Sequence, residues 1–155
     1  MSRSRQVALN KAQGAQFEKL LVARAGVSGC RALKNELSFR YLAGGRIRPI
    51  RADLDYRILR RDGRVAYIDT KCFDAEHFTF SQIDADQLRQ SIAYNHYNVP
   101  SGFVVWLKAA GIVVYYPGAM LMSQGPKTRF VKSHGYALGA PYTFDVSLIF
   151  TAHGL

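Results

Sequence analysis

The stretch that most limits what this chain can fold into is residues 53–71. Two strand-like runs, Asp53–Arg60 and Arg64–Lys71, flank Arg61-Asp62-Gly63. An Asp-Gly pair between alternating runs signals a hairpin, and Gly63 suits the left-handed position of a three-residue loop. That loop pairs Arg60 with Arg64, Asp55 with Asp69 and Asp53 with Lys71. Alternation then sorts the side chains onto two faces. One face carries Leu54, Tyr56, Ile58, Ala66, Ile68 and Thr70, which suits a core. The other carries Asp53, Asp55, Arg57, Leu59, Val65, Tyr67, Asp69 and Lys71. A two-residue loop would slip the pairing by one and put Asp55 and Asp69 on opposite faces. The three-residue register is preferred because it gathers the polar residues on one side.

That register creates a chemical problem. Carboxylates directly opposite each other destabilise a sheet, and half-buried acids cost free energy unless something neutralises them. A divalent cation does so. Carboxylate oxygens are hard ligands that suit Mg²⁺, with Mn²⁺ as a substitute. Asp55 and Asp69 are therefore candidate metal ligands, with Asp53 and Lys71 beside them. An ion here could polarise a phosphodiester and lower the pKa of an attacking water. Lys71 would hold that water or the scissile phosphate and stabilise developing negative charge. The plainer reading is a surface hairpin with incidental charges, since Asp-x-Lys alone is common.

Charge makes phosphate a natural partner. The chain of 155 residues has a net charge of +10, and the excess is one-sided. Residues 1–64 hold fifteen Lys and Arg against five Asp and Glu, whereas residues 65–155 hold six of each. Most of the fifteen are Arg, whose planar fork donates two hydrogen bonds to one phosphate. A polyanion is expected, nucleic acid first, with plain solubility as the alternative. Arg3 and Arg5 fall in a basic N-terminal tail, residues 1–9. Arg46, Arg48 and Arg51 fall in a glycine-opened loop, Ala43–Arg51.

The remaining bounds are brief. The length fits one domain spanning residues 1–155, and 48% apolar with 21% charged residues is ordinary for a globular chain. Apolar runs such as Phe103–Leu107 are too short to cross a bilayer, so no membrane partner is expected. No apolar leader follows the N-terminal charges. Cys30 and Cys72 lack metal-like spacing, which favours a reducing, cytoplasmic setting. The four histidines show no ligand spacing and receive no role.

Periodicity supplies the other elements. Leu9, Ala12, Ala15, Phe17, Leu20, Leu21 and Val22 predict a helix over 9–25, ended near Gly26. Residues 37–42 predict a strand. Residues 84–97 predict a second helix, opened by a capping box at Ser81–Asp84 or Asp84–Gln87. Its Leu88 and Ile92 face the core, and Gln87, Gln90, Ser91 and Tyr94 share a polar face. Phe103–Leu107 and Ile112–Tyr116 predict a central antiparallel hairpin. Thr143–Phe150 is a weaker candidate for a last strand.

In order and spacing these pieces resemble the PD-(D/E)xK nuclease superfamily, and within it the RecU-type and related phage Holliday junction resolvases. Gly14-Ala15-Gln16-Phe17-Glu18 is similar to the Gly-x-x-Phe-Glu of the family's first helix. Asp55-Tyr56 resembles the Asp-Tyr at its metal-binding strand, and Tyr67-Ile68-Asp69-Thr70-Lys71 its apolar-(D/E)-x-K strand. Phe78–Gln87 resembles the segment in which a Gln opens a helix, and Gly102–Val105 the strand that follows. The match spans about residues 10–116. The nominal proline is absent, since Ala52 precedes Asp53 and Leu54 precedes Asp55. Asp69 replaces the commoner Glu and reaches less far by one methylene. Residues alone do not choose between Asp53 and Asp55; the Asp-Tyr match and the register favour Asp55.

The resemblance implies an α/β fold, a restriction-endonuclease-like central mixed β-sheet flanked by helices. It implies a Mg²⁺-dependent endonuclease that cuts four-way DNA junctions, acting as a homodimer because resolution takes paired nicks. Glu18 is either an exposed acid paired with a basic residue or a metal ligand reaching in from the first helix. Gln87 is either solvated or, as the resemblance implies, positions phosphate or water. The grip on backbone phosphates would fall to Arg3, Arg5, Arg46, Arg48 and Arg51.

Overall fold

A computed structural model describes residues 2–35, 38–41, 44, 45, 47–50, 54–126 and 128–155. Helix α1 spans Arg3–Val27, and the Ser2 side chain caps it by accepting from the Arg5 amide at 3.3 Å. Residues 3–9 thus belong to the helix and form no separate tail. The buried stripe is Phe17, Leu21 and Ala25, spaced by four, while Leu9 and Val22 stay exposed. The apolar face is narrower than the sequence implies because only the second half of α1 rests on the protein.

The chain continues through strands β1 (Cys30–Lys34), β2 (Ser38–Tyr41), β3 (Ile47–Ile50), β4 (Tyr56–Arg60), β5 (Val65–Phe73) and β6 (Phe78–Thr79). After helix α2 (Ala85–His96) come β7 (Ser101–Leu107), β8 (Ile112–Pro117), helix α3 (Gly118–Gln124), β9 (Arg129–Phe130), β10 (Tyr136–Gly139) and a helical turn, α4 (Leu148–Thr151). Six strands form the main sheet in the order β1-β4-β5-β7-β8-β10. Among the described residues only β5 and β7 pair in parallel, and α2 supplies the long connection such a pair requires. β2 and β3 form a separate antiparallel ribbon with Arg40 opposite Arg48, so the expected loop Ala43–Arg51 contains a strand.

The β4–β5 hairpin adopts the three-residue register. Arg57 pairs with Tyr67 and Ile58 with Ala66, and Arg60 and Arg64 close the turn through a 2.9 Å amide–carbonyl bond. Gly63 sits at φ 88°, where a side chain would be strained. The Asp62 carboxylate accepts from the Arg60 guanidinium and the Arg64 amide, fixing the loop length. The alternation fails at one position. The ladder stops at Tyr56–Ile68 and Asp55 forms a bend, so Leu54 turns away from the Tyr56 face and joins the opposite core cluster.

Each face of the sheet carries a core. Tyr56, Ile58, Ala66, Ile68, Val104 and Trp106 pack with Phe17 and Leu21 of α1. Phe103, Val105, Leu107, Val114 and Tyr116 pack with Leu88 of α2 and Leu121 of α3. β7 is buried throughout, as its nearly all-apolar sequence requires. Thr143–Phe150 is not a strand; β10 takes the edge instead. Arg24 donates to the Thr143 and Phe144 carbonyls, Ser28 Oγ accepts from the Val146 amide, and Asp145 accepts from Ser147. These side chains satisfy the backbone that a ladder would have used.

Helix α2 begins where expected, with Asp84 accepting from the Asp86 and Gln87 amides. A box at Ser81 does not form; Thr79 and Gln82 pair around a 3₁₀ turn instead. The polar face of α2 turns inward. Ser91 is fully buried against Gly118 of α3, Gln87 meets Lys71, and Tyr94 stacks on Tyr67.

Candidate active site

The site grows from the middle of β5. Asp69 and Lys71 are two residues apart and so share a sheet face, the one covered by α2. Asp69 is wholly buried. Lys71 Nζ lies 2.7 Å from its Oδ2, yet neither carboxylate oxygen receives a well-aligned hydrogen bond. Burial first, then an acid–acid hydrogen bond with Asp55, push the Asp69 carboxyl up to about 7, against the pull of Lys71. Ionised, Asp69 leans on Lys71 and faces the charge of Asp55; protonated, it donates to Asp55. The like-charge conflict expected from the register is therefore present in the fold.

Asp55 is held by its backbone. The Asn35 amide donates to the Asp55 carbonyl at 2.7 Å, and the Asn35 side chain donates to the Leu54 carbonyl. This anchor at the end of β1 fixes the bend that turns Leu54 inward, and the half-buried Asp55 side chain lies beside Asp69. Nothing in the sequence pattern pointed to Asn35.

Gln87 stands in the first turn of α2, where its Oε1 accepts from Lys71 Nζ at 3.3 Å. It is part of the site through the lysine and is not merely solvated.

Glu18 approaches from the other side of the sheet. Its carboxylate accepts from the Tyr56 hydroxyl and lies 3.5 Å from Lys34 Nζ. Burial, then the charge of Glu18 and that hydrogen bond, push the Tyr56 phenol up to about 12, with smaller contributions from Asp55 and Asp69. Tyr56 thus sits among all three acids. In the sequence Tyr56 stands only as a core residue and as half of the Asp-Tyr resemblance. The basic pairing expected for Glu18 is found with Lys34. Among the described residues, no three His, Cys, Asp or Glu side chains converge closely enough to hold an ion.

The basic residues divide. Arg3 and Arg5 are exposed on the first turns of α1, about 20 Å along the axis from Glu18. Arg48 lies on β3. Asp53, Arg46 and Arg51 lie outside the described residues. No helix among the described residues is long and apolar enough to cross a membrane.

No family model and no curated protein matches the chain. Among solved structures it is similar to Hjc of Archaeoglobus fulgidus, a Holliday junction resolvase from an archaeal hyperthermophile, at 17% identity and a TM-score of 0.55. The match covers 80% of this chain and 95% of that one. The six-stranded mixed sheet flanked by helices is thus a resolvase-like, restriction-endonuclease-like α/β fold.

Proposed function

We propose that this chain is a divalent-metal-dependent endonuclease that cuts four-way DNA junctions. One observation carries the reading: Asp69 is fully buried, neither of its oxygens receives a well-aligned hydrogen bond, and a second acid and a lysine lie beside it. A carboxylate left this way fits a cation better than a structural role. The donor set is all oxygen, which suits Mg²⁺ or Mn²⁺. Asp55 and Asp69 would hold the ion, and one or two carboxylates are ordinary for Mg²⁺, which keeps waters and substrate phosphate as its other ligands. When bound, the ion supplies Lewis-acid polarisation of the phosphodiester and a more acidic water.

The protein's own residues do the rest. Lys71 Nζ neutralises the charge that builds on the phosphate oxygens. Gln87 holds Lys71 from the helix side and so sets where that charge sits. Tyr56 keeps Glu18 oriented beneath the acid pair, where it assists through second-layer charge. Asp53 remains an alternate ligand to Asp55. Arg3, Arg5, Arg46, Arg48 and Arg51 contact backbone phosphates, which gives shape recognition with little base reading. Paired nicks in a junction require two such centres, so the working form is a homodimer.

The test compares junction, flap and linear duplex DNA side by side in Mg²⁺. Cleavage of the junction that disappears in Asp69→Asn, with binding retained, supports the reading. Preference for flap or linear DNA moves the assignment to a repair or restriction-like nuclease. Mg²⁺-insensitive binding without products under any metal makes the chain a binding module.

A further inference from the structure

The outer half of α1 stands clear of the core. Among the described side chains all from Arg3 to Ala12 are exposed, and burial begins only at Phe17. Arg3 to Phe17 spans roughly 21 Å of helix. The Ser2 cap and a 3.0 Å hydrogen bond from Gln6 to Asn10 are internal to that stretch. Gly14 sits just before the packed half begins, and glycine weakens a helix interior. So short a helical stretch is marginal in water unless something lies against it.

Helical spacing shows what the outer half offers a partner. Counting back in steps of seven from buried Phe17 gives Asn10 and then Arg3, with Gln6 one turn before Asn10. The line that is core in the inner half is therefore polar in the outer half. Burying it against an apolar protein surface would strand amide and guanidinium groups, so such a surface is a poor occupant. Charge selects a better one. Residues 1–17 hold Arg3, Arg5 and Lys11 and no acid, and Glu18 is the first acid in the chain. Lys11 stands two turns before Glu18 on the same line. Among the described residues none of the three cations has an ion-pair partner. Arginine, lysine, asparagine and glutamine are side chains that contact nucleic-acid phosphates.

Resting on the reading that this chain acts on DNA, we propose that the outer half of α1 is a rod that lies along one paired arm of the substrate and grips its backbone at a set distance from the cut. The distance follows from the helix. Glu18 and Arg3 lie roughly 20 Å apart along the axis, the length of about six stacked base pairs. The phosphates held by Arg3 and Arg5 are then about six base pairs from the scissile bond. Their negative charge supplies the support that the rod lacks on its own. A paired arm suffices, because only backbone is contacted. The rod thus senses how far the duplex extends beside the branch, which a flexible basic segment cannot do.

The test measures binding without divalent metal, so that hydrolysis plays no part. The probes are long-armed four-way junctions followed by fluorescence anisotropy at low salt. One is fully charged, one carries neutral methylphosphonates about six base pairs from the branch, and one carries the same number about twelve base pairs out. The parent should bind the near-neutralised junction about tenfold more weakly than the other two. Arg3→Gln with Arg5→Gln should bind all of them alike, at the parent's weaker level. Asn10→Pro keeps every charge but breaks the rod, so it too should treat the junctions alike. Its melting temperature should match the parent's, because the outer half carries no part of the core. A parent indifferent to the near patch would overturn the proposal. So would an Asn10→Pro protein that keeps the parent's discrimination, which would make the segment a flexible basic tail. A lower mass for Asn10→Pro in sedimentation without DNA would also overturn it, by making the outer half a contact between copies. The nuclease reading fails separately: no cleavage in Mg²⁺ with rod-dependent binding intact rejects the nuclease and retains the rod.

Discussion

Lys71 Nζ stands 2.7 Å from Asp69 Oδ2 and 3.3 Å from Gln87 Oε1, so one ammonium joins a buried acid on a strand to an amide on a helix. The lysine offsets part of the cost of burying Asp69, and the glutamine fixes the lysine. Removing the charge should therefore cost far more than removing its support. Lys71→Ala is expected to slow junction cutting by about 10²-fold or more in single-turnover assays. Gln87→Ala should slow it less, and both should bind junction DNA within a few-fold of the parent. Undiminished cutting by Lys71→Ala would remove the lysine from the chemistry.

The Asp69 carboxyl gives a pH signature. Its pKa is raised from 3.8 unfolded to about 7 folded. Between those values the folded chain binds more protons than the unfolded one, so stability falls as pH rises from about 4 to 7 and levels off above. Asp69→Asn cannot ionise and lacks this loss. Thermal melts without metal should show the parent declining relative to Asp69→Asn across that window. Added Mg²⁺ should restore the parent chiefly at the upper end, because a cation selects the ionised acid. Parallel pH profiles for the two proteins would contradict the assignment of a protonated, buried Asp69.

Arg3 and Arg5 are exposed at the start of α1, with no acid in the first turn to pair them. If both contact phosphate, Arg3→Gln with Arg5→Gln should weaken DNA binding at low salt. The slope of log affinity against log salt should also fall by about 0.9 per lost contact. An unchanged slope would assign the two arginines to solubility alone.

Gly118 opens α3 directly against Ser91 of α2, and a methyl group there would meet the Ser91 Cβ at 2.7 Å. Gly118→Ala should destabilise by about 1–3 kcal/mol in urea unfolding. The cost in Ser91→Gly with Gly118→Ala should be less than the sum of the two single changes. Strict additivity would mean the helices part without resistance.

The sequence made the hairpin readable because three residues specify it together: Gly63 accepts the left-handed turn, and Asp62 binds both Arg60 and Arg64. The acid pair and Lys71 follow from that register by alternation alone. Central β7 and β8 were legible because both of their faces are apolar. What could not be read depended on contacts distant in the chain. Leu54 changes face because Asn35, nineteen residues away, ties down its carbonyl. Thr143–Phe150 turns because Arg24 and Ser28 bind its backbone. The polar face of α2 looked solvated, yet Gln87 and Tyr94 meet β5 and Ser91 packs against α3. The resemblance named Glu18 and Gln87, and the structure sets them apart: Gln87 touches Lys71, whereas Glu18 is engaged by Tyr56 and Lys34.

The β2–β3 ribbon lies between β1 and β4, which pair directly with each other from Cys30–Arg60 to Lys34–Tyr56. It is an excursion between neighbours whose ladder does not depend on it. Its length and its arginines can therefore change without shifting the frame that carries Asp69 and Lys71. Such a layout lets the ribbon be exchanged as a module while the geometry around Asp69 and Lys71 stays as it is.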